Sequence, residues 1–367
     1  MRFDAPLLLV GSIPGADAEQ AMRAGAALGG LLGALPDGET GRRKAWINFL
    51  AAGAYHDCAA LEVVNRPLPH DIAAADEWRA PADDWIPRGY ADHWQFRVVT
   101  GQVPQFGVLG YAAQALASWQ VFERLRGEGV ITPGVRFQVA LPLAESAVRP
   151  FMTGVADYAP VHAAYVAALR NEIDSLCSVI PHDRLAVQWD IAFETVAIDR
   201  DDNLPGVLPW IPPGGSPRDR YLAALRELAA HVPDTVPMGL HLCYGDLGHR
   251  HIVEPRDLGV CVEMTNLAVT ALDRAVDYCH MPVPRERCDD AYFAPLTHLA
   301  APATCVYLGL VHHTDGLPGT RARIAVAQRH LARFGIATEC GFGRRTPATV
   351  PELLAIHREA AALLAND

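Results

Sequence analysis

Short apolar runs alternate with amphipathic stretches along most of the chain, and this alternation is the dominant pattern of the sequence. Eight runs are short, apolar and bounded by glycine, proline or polar residues, which is typical of buried strands. They are residues 6–10, 31–35, 135–141, 185–190, 236–242, 258–263, 304–310 and 336–339. Most precede a stretch with helical periodicity, which predicts helices over residues 158–180, 267–279 and 350–364, among others.

Strands that alternate with helices are parallel, because the chain crosses back over the sheet between them. Eight such units predict an α/β fold, namely a closed (β/α)8 TIM barrel formed by one domain over residues 1–367. An open doubly wound sheet is the alternative, but no G-x-G-x-x-G turn follows the first run. Residues 50–130 lack this rhythm; they contain prolines and four of the seven tryptophans. They predict an irregular insertion after the second strand that packs on the barrel.

Composition narrows the class of protein and its partners. Half of the 367 residues are hydrophobic and a fifth are charged, as in well-packed globular domains. The net charge of −11 opposes binding to nucleic acid or to a membrane surface, because little would neutralise the phosphates. The apolar segments are too short for a signal peptide or a membrane span. The eight cysteines are scattered, unlike those of a disulfide scaffold, so we expect a cytoplasmic protein with reduced thiols.

The chemically distinctive side chains cluster at the ends of the predicted strands. In a barrel of this type, the carboxyl ends of the strands and the loops after them form the active-site face. The residues at these positions are Ser12, Asp37, Glu39, Asp190, His241, Cys243, Glu263, His312, His313 and Cys340. Their common location predicts one site at this end of the barrel.

A metal site is the first candidate, and His241 and Cys243 are its starting point. Residues i and i+2 of an extended chain point to the same side, so both side chains can reach one ion. Glu263 and Cys340 follow later strands and complete a predicted set of four ligands. Two thiolates favour Zn²⁺ over Mg²⁺ or Ca²⁺, which prefer oxygen. Taken singly, each residue also has a structural explanation: a small buried thiol, a glutamate paired with an arginine, or a histidine at the rim.

Six short motifs occur in order along the chain. They are Gly11-Ser12-Ile13-Pro14, Asp37-Gly38-Glu39, Gln188-Trp189-Asp190, His241-Leu242-Cys243-Tyr244, Glu263-Met264-Thr265 and Glu339-Cys340-Gly341-Phe342. Together they resemble the catalytic barrel of cobalamin-independent methionine synthase, above all its shorter single-barrel relatives. The resemblance implies zinc as the cofactor, with His241, Cys243, Glu263 and Cys340 as its ligands.

The same resemblance implies roles for further residues. Ser12 would help to hold the carboxylate of a homocysteine-like thiol, and Glu39 and Asp190 would hold its ammonium group. A histidine after the seventh strand, His312 or His313, would donate a proton. The family's Asp-Glu-Pro segment is Asp190-Ile191-Ala192 here, and no segment matches the residues that hold the folate donor. The resemblance therefore bears on the thiol chemistry and leaves the alkyl donor open.

These observations predict a zinc-dependent methyl- or alkyltransferase that binds a small-molecule thiol as a zinc-bound thiolate and an alkyl donor beside it. Methionine formation from homocysteine is the specific case that the resemblance suggests. Three alternatives remain. The first is alkyl transfer from an epoxide-type donor to another thiol cofactor. The second is a lyase or decarboxylase, because porphyrinogen decarboxylases share this barrel. The third is a non-catalytic protein that binds a thiol or a metal.

Overall fold

The fold combines parallel strands and helices, as the alternation predicts. The computed structural model describes residues 3–66, 94–246, 250–343 and 345–365. The strands in these ranges are β1 (Ala34–Pro36), β2 (Leu61–Asn65), β3 (Gln95–Val98), β4 (Arg136–Pro142), β5 (Leu185–Ile191), β6 (Met238–Leu242), β7 (Tyr278–Pro282), β8 (Cys305–Val311) and β9 (Gly335–Thr338). Seven of them form one curled parallel sheet in the order β1-β4-β5-β6-β7-β8-β9.

At least one helix separates each strand from the next between β4 and β9. The helices in the described ranges are α1 (Ala18–Ala26), α2 (Asn48–Leu50), α3 (Tyr111–Gly127), α4 (Ala144–Val148), α5 (Val155–Val179), α6 (Phe193–Arg200), α7 (Pro217–Ala229), α8 (Gly259–Ala271), α9 (Asp290–Phe293), α10 (Gly316–Ala327) and α11 (Val350–Ala365). Within these ranges, no helix is both long enough and apolar enough to cross a membrane. The predicted helices at 158–180 and 350–364 correspond to α5 and α11.

The predicted first strand lies between the two edges of the sheet, but it is not a continuous strand. Leu7 forms isolated parallel bridges with Leu32 beside β1 and with Ile336 in β9. The amide N–H of Leu8 donates to the carbonyl of Ile336 at 3.0 Å. The α/β class and the parallel sheet are therefore confirmed, whereas the closed eight-stranded barrel stays a prediction.

The strand predicted at 258–263 is wrong, because these residues begin helix α8. Its buried residues include Cys261, Thr265 and Ala268, which follow the spacing of one helical face. A short apolar run does not by itself distinguish a buried helix from a strand. The sixth strand of the series is instead β7, which falls at the end of the helix predicted for 267–279. All five of its residues are buried, including a tyrosine and a histidine.

The predicted insertion contains regular structure. Strands β2 and β3 pair antiparallel as a separate two-stranded sheet, and α3 packs against α1 and α5. Trp94 and Phe96 are buried there, with ring centroids 6.1 Å apart. Residues 67–93, which also belong to the predicted insertion, lie outside the described ranges. The boundaries of the insertion therefore stay a prediction.

Two buried glutamines fasten the N-terminal segment to the inside of the sheet. The side-chain amide of Gln138 in β4 donates to the carbonyls of Leu9 and Val10 at 3.1 and 3.0 Å. The amide of Gln188 in β5 donates to Val10 at 2.6 Å and to Asp190 at 2.9 Å. Because buried carbonyls need hydrogen-bond partners, these side chains fix where residues 9–12 run. This arrangement places Ser12 at the same end of the sheet as Asp190.

Candidate metal and substrate site

Three of the predicted zinc ligands meet at one end of the curled sheet. His241 is in β6, Cys243 follows it directly, and Cys340 follows β9. The ligand atoms of these three residues all lie within 4.8 Å of one another. The two sulfur atoms are 3.9 Å apart, and the sulfur of Cys340 is 3.6 Å from Nε2 of His241. The spacing of His241 and Cys243 places both side chains on one face, as predicted.

These distances fit a zinc ion closely. Tetrahedral coordination with Zn–S near 2.3 Å and Zn–N near 2.0–2.1 Å puts two sulfur atoms about 3.8 Å apart and a sulfur and a nitrogen about 3.6 Å apart. The observed distances of 3.9 and 3.6 Å match these two values, and the third pair of ligand atoms lies within 4.8 Å. A set of two thiols and an imidazole also matches the ligand preference of zinc. The described part of the chain thus supplies three ligands, the number typical of catalytic zinc, in which a fourth position takes water or substrate.

The electrostatics of the cluster favour a thiolate. The hydrogen bond with Cys340, together with His241, holds the pKa of the Cys243 thiol well below its ordinary value. The backbone N–H of Gly245 also points at this sulfur, at 3.3 Å. Burial lowers the pKa of His241, but Cys243 and Asp190 outweigh it and raise the pKa overall. These shifts favour a negative Cys243 sulfur beside a positive His241. A bound metal ion would supply that positive charge in place of the proton on His241.

Glu263, the fourth predicted ligand, is not brought to this cluster. It lies in α8, and its carboxylate makes a bidentate ion pair with Arg218 of α7, with N–O distances of 2.5 and 3.0 Å. Its side chain is 37% exposed, unlike the buried His241. The prediction followed from the wrong strand at 258–263, because a residue at that strand's end would face the site whereas α8 turns Glu263 toward α7. Its pairing with an arginine is the structural explanation that the sequence left open.

Asp190 lies next to the cluster on the adjacent strand. Its Cα pairs in register with that of His241. Burial raises the pKa of Asp190 to about 6, against the lowering influence of His241 and of the hydrogen bond from Gln188. The indole of Trp46 also interacts with this carboxylate. Asp190 is therefore a buried acid beside the three ligand atoms, in the position predicted from the sequence.

Glu39 reaches the same place from a strained turn. The side chain of Asp37 accepts a hydrogen bond from the backbone N–H of Glu39 at 2.9 Å and pairs with buried Arg43. Gly38 and Glu39 both have positive φ, of 83° and 50°. Positive φ costs energy in a residue other than glycine and is often found at functional sites. The Glu39 carboxylate is close enough to raise the pKa of His241, and a Cβ on Gly11 would lie 3.0 Å from its Oε1.

Ser12 ties the first turn to the loop that carries Cys340. Its hydroxyl oxygen accepts a hydrogen bond from the N–H of Gly343 at 3.2 Å, and its carbonyl accepts one from Phe342 at 2.9 Å. A Cβ on Gly341 would lie 2.4 Å from the Ser12 hydroxyl, so only glycine fits there. The structure therefore gathers Ser12, Glu39 and Asp190 around the three ligand residues.

The two histidines predicted as proton donors differ in position. His313 points away from the cluster and pairs with Glu352 of α11, with its Nε2 2.9 Å from the carboxylate. His312 is buried, and its Nε2–H donates a hydrogen bond to the carbonyl of Val283 at 2.8 Å. Burial and the neighbouring Arg323 lower the pKa of His312 to about 4. His312 therefore lies near the site but is neutral at physiological pH.

A cavity of about 360 Å³ lies beside Cys340 and is lined by charged groups. The most distinctive is His251, which no motif in the sequence indicated. Its Nε2 lies 3.1 Å from Glu339, and its Nδ1 lies 3.0 Å from Glu254. Burial lowers the pKa of His251, but Glu339 and Glu254 raise it to about 9. His251 and Glu339 face the cavity together with His312 and Cys340.

Comparison with known proteins gives a likeness of fold. No family model matches the chain. No curated protein matches it either. One similar solved structure is that of a Listeria monocytogenes protein provisionally named a vitamin-B12-independent methionine synthase, at 13% identity and a TM-score of 0.57 over 99% of this chain and 98% of that chain. The catalytic core of the cellobiohydrolase Cel6A from Chaetomium thermophilum aligns with a TM-score of 0.32 at 11% identity, over 57% of this chain and 62% of that chain, which is too low to support an argument. The likeness to the Listeria protein concerns fold, because the identity is low.

The geometry predicts which substitutions weaken zinc binding. Cys340→Ser should lower the affinity about 100-fold or more, because it removes one thiolate from the set. Glu263→Gln is the matched control and should bind zinc like the wild type, since its carboxylate contacts Arg218 instead. Competition with a chromophoric chelator measures both affinities. Equal losses in the two variants would show that Glu263 is a ligand after all.

Proposed function

We propose that the protein is a zinc-dependent thiol S-alkyltransferase on a (β/α)8 barrel, with His241, Cys243 and Cys340 as the zinc ligands. The observation that carries this proposal is the triangle of ligand atoms, whose 3.9 and 3.6 Å edges match tetrahedral zinc. Bound zinc would lower the pKa of a substrate thiol so that the sulfur is a nucleophile at neutral pH. A lyase or decarboxylase on the same fold would not need two cysteines and a histidine at these distances.

The groups around the triangle support an amino-acid thiol of the homocysteine type. Glu39 and Asp190 are two carboxylates close to His241, and a primary ammonium group is the natural partner for such a pair. Ser12 and the Gly341–Gly343 loop would border the other end of the amino acid. Asp190 is buried and Glu39 is partly buried, so solvent screens the charge of Asp190 poorly. We infer that these two carboxylates make the site bind thiols that carry an amino group in preference to thiols that lack one.

The alkyl donor would occupy the cavity beside Cys340. In the transfer, a sulfur–carbon bond forms and the bond between that carbon and its leaving atom breaks. The leaving atom keeps the electron pair and needs a proton. His251 is the residue that we infer to hold this proton, because it shares the cavity wall with Cys340 and its two ring nitrogens face Glu339 and Glu254. His312 is less suited, because burial and the neighbouring Arg323 lower its pKa to about 4, so its ring is neutral near pH 7 and has no proton to spare.

The name of the Listeria protein adds an expectation about the transferred group. A methyl group moving to homocysteine is the reaction that this name implies, and it agrees with the carboxylate pair. The cavity is also compatible with another alkyl donor, such as an epoxide. Methionine formation is therefore the specific case that we propose for testing.

A thiol panel tests the proposed substrate class. Homocysteine should bind the zinc-loaded protein about tenfold or more tightly than 4-mercaptobutanoate, which has the same carbon chain but lacks the amino group. Each binding event should release one proton, detected in weakly buffered solution by a pH indicator, and zinc-free protein is the control. Glu39→Gln should reduce the preference for homocysteine. If neither thiol releases a proton in the presence of zinc, the proposal is wrong. Equal affinity for the two thiols would leave zinc binding intact but remove the amino-acid substrate.

The role of His251 predicts a pH profile. The pKa of about 9 means that His251 holds its proton below that pH and loses it as the pH rises through this value, so the methyl-transfer rate should fall on the alkaline side. His251→Gln should reduce the rate by about 10²–10⁴-fold at pH 7.5 and remove this alkaline limb. His313→Gln is the control, since its ring pairs with Glu352, and should behave as the wild type. An unchanged rate and profile in His251→Gln would exclude this donor.

A further inference from the structure

A second buried histidine stands directly behind the metal site. His280 is in β7, and its Cα pairs in register with that of His241 in β6. The two rings have centroids 4.8 Å apart, and the Nδ1 atoms are 2.8 Å apart. The other ring nitrogen of His280, Nε2, lies 2.9 Å from the backbone carbonyl of Thr338 in β9. His280 is fully buried, with 0% exposure.

These two contacts determine where the protons are. A carbonyl oxygen can only accept, so Nε2 of His280 carries a hydrogen. In the described ranges, the side chain of His280 has the His241 ring and the Thr338 carbonyl as its polar contacts, with no carboxylate among them. A buried imidazolium without an anion is costly, which favours the neutral ring with a lone pair on Nδ1. The hydrogen in the contact between the two Nδ1 atoms therefore belongs to His241.

This assignment leaves one atom of His241 for the metal. Its Nδ1–H is used by His280, and its Nε2 is the atom that lies 3.6 Å from the sulfur of Cys340. Metal-binding histidines commonly donate their second N–H to a carboxylate or a carbonyl, which fixes the orientation and tautomer of the ring. Here the His280 ring accepts the N–H of His241, and His280 in turn donates to the carbonyl of Thr338 in β9.

We propose that His280 is the positioning residue of the metal site, relaying the orientation of His241 to the Thr338 carbonyl. This inference rests on the proposed zinc site and deepens it. The relay joins the two strand ends that carry the ligands, because Thr338 precedes Cys340 by two residues and its hydroxyl donates to the Cys340 carbonyl at 2.7 Å. The acceptor of the His241 N–H, the His280 ring, is also neutral. Zinc with two thiolates has no net charge, and a neutral acceptor adds none, so an incoming substrate thiolate meets less repulsion than it would near another carboxylate.

Zinc affinity and histidine NMR test this relay together. His280→Leu removes the acceptor and should weaken zinc binding about 10–100-fold, whereas His280→Gln, whose amide can both accept and donate, should stay within about threefold of the wild type. His357→Leu is the control, because His357 is an equally buried histidine in α11, hydrogen-bonded within its own helix. Chelator competition gives the affinities.

Long-range ¹H–¹⁵N spectra of metal-free, ¹⁵N-histidine-labelled protein give the proton positions without any zinc. His280 should be protonated at Nε2 and bare at Nδ1, with His241 protonated at Nδ1. The opposite pattern overturns the relay, even if His280→Leu does not fold. Wild-type zinc affinity in a folded His280→Leu variant would also overturn the relay. A wild type that binds no zinc but shows the expected proton pattern would contradict the proposed function and leave the hydrogen-bond chain intact.

Discussion

The curl of the parallel sheet is the constraint on which the candidate site depends. His241 and Cys340 are attached to β6 and β9, and two strands lie between them. In a flat sheet, three strand spacings of about 4.8 Å would separate these strands by about 14 Å. The ligand atoms nevertheless lie 3.6 Å apart. Only a sheet that curves around its own interior, with the strand ends facing inward, brings them together.

Two groups of charges near the ligand triangle are proposed to serve different steps of the reaction. Glu39 and Asp190 are carboxylates close to His241 and would recognise a cation. His251 and Glu339 line the cavity, with an N–O distance of 3.1 Å between the imidazole and the carboxylate. Cys340 belongs to the ligand triangle and also lines this cavity.

The parts of the site that local spacing determines can be predicted from the sequence. His241 and Cys243 share a face because of the two-residue repeat of a strand, and Asp190 ends a strand whose apolar pattern is unmistakable. Glu263 was wrongly predicted as a ligand because a short apolar run is compatible with either a helix or a strand. His280 was not predicted as a site residue because its strand, β7, was not recognised. A run that contains a tyrosine and a histidine does not indicate a buried strand until the partners of these side chains are known. His251 lies in a loop and acquires its chemistry from Glu254 and Glu339, the second of which is distant in sequence.

For the fold as well, local patterns were predictable from the sequence and long-range pairing was not. The alternation of strands and helices predicted the parallel strands β4, β5, β6, β8 and β9, whereas β7 fell at the end of a predicted helix. The short segment at residues 6–10 forms bridges to both edges without becoming a regular strand, and whether it closes the sheet depends on long-range pairing that periodicity does not encode. The positive φ of Glu39 occurs in a turn held by the side chains of Asp37 and Arg43, which the apolar pattern does not indicate.

Zinc K-edge X-ray absorption on the zinc-loaded protein, before and after addition of homocysteine, tests both the ligand triangle and its use in binding a thiol. We expect two sulfur ligands near 2.3 Å and a histidine nitrogen near 2.0–2.1 Å in the free protein, with a third sulfur appearing when the thiol binds. A shell of oxygen and nitrogen without sulfur would contradict the ligand triangle. A sulfur count that does not change with homocysteine would contradict its use as a thiol-activating site.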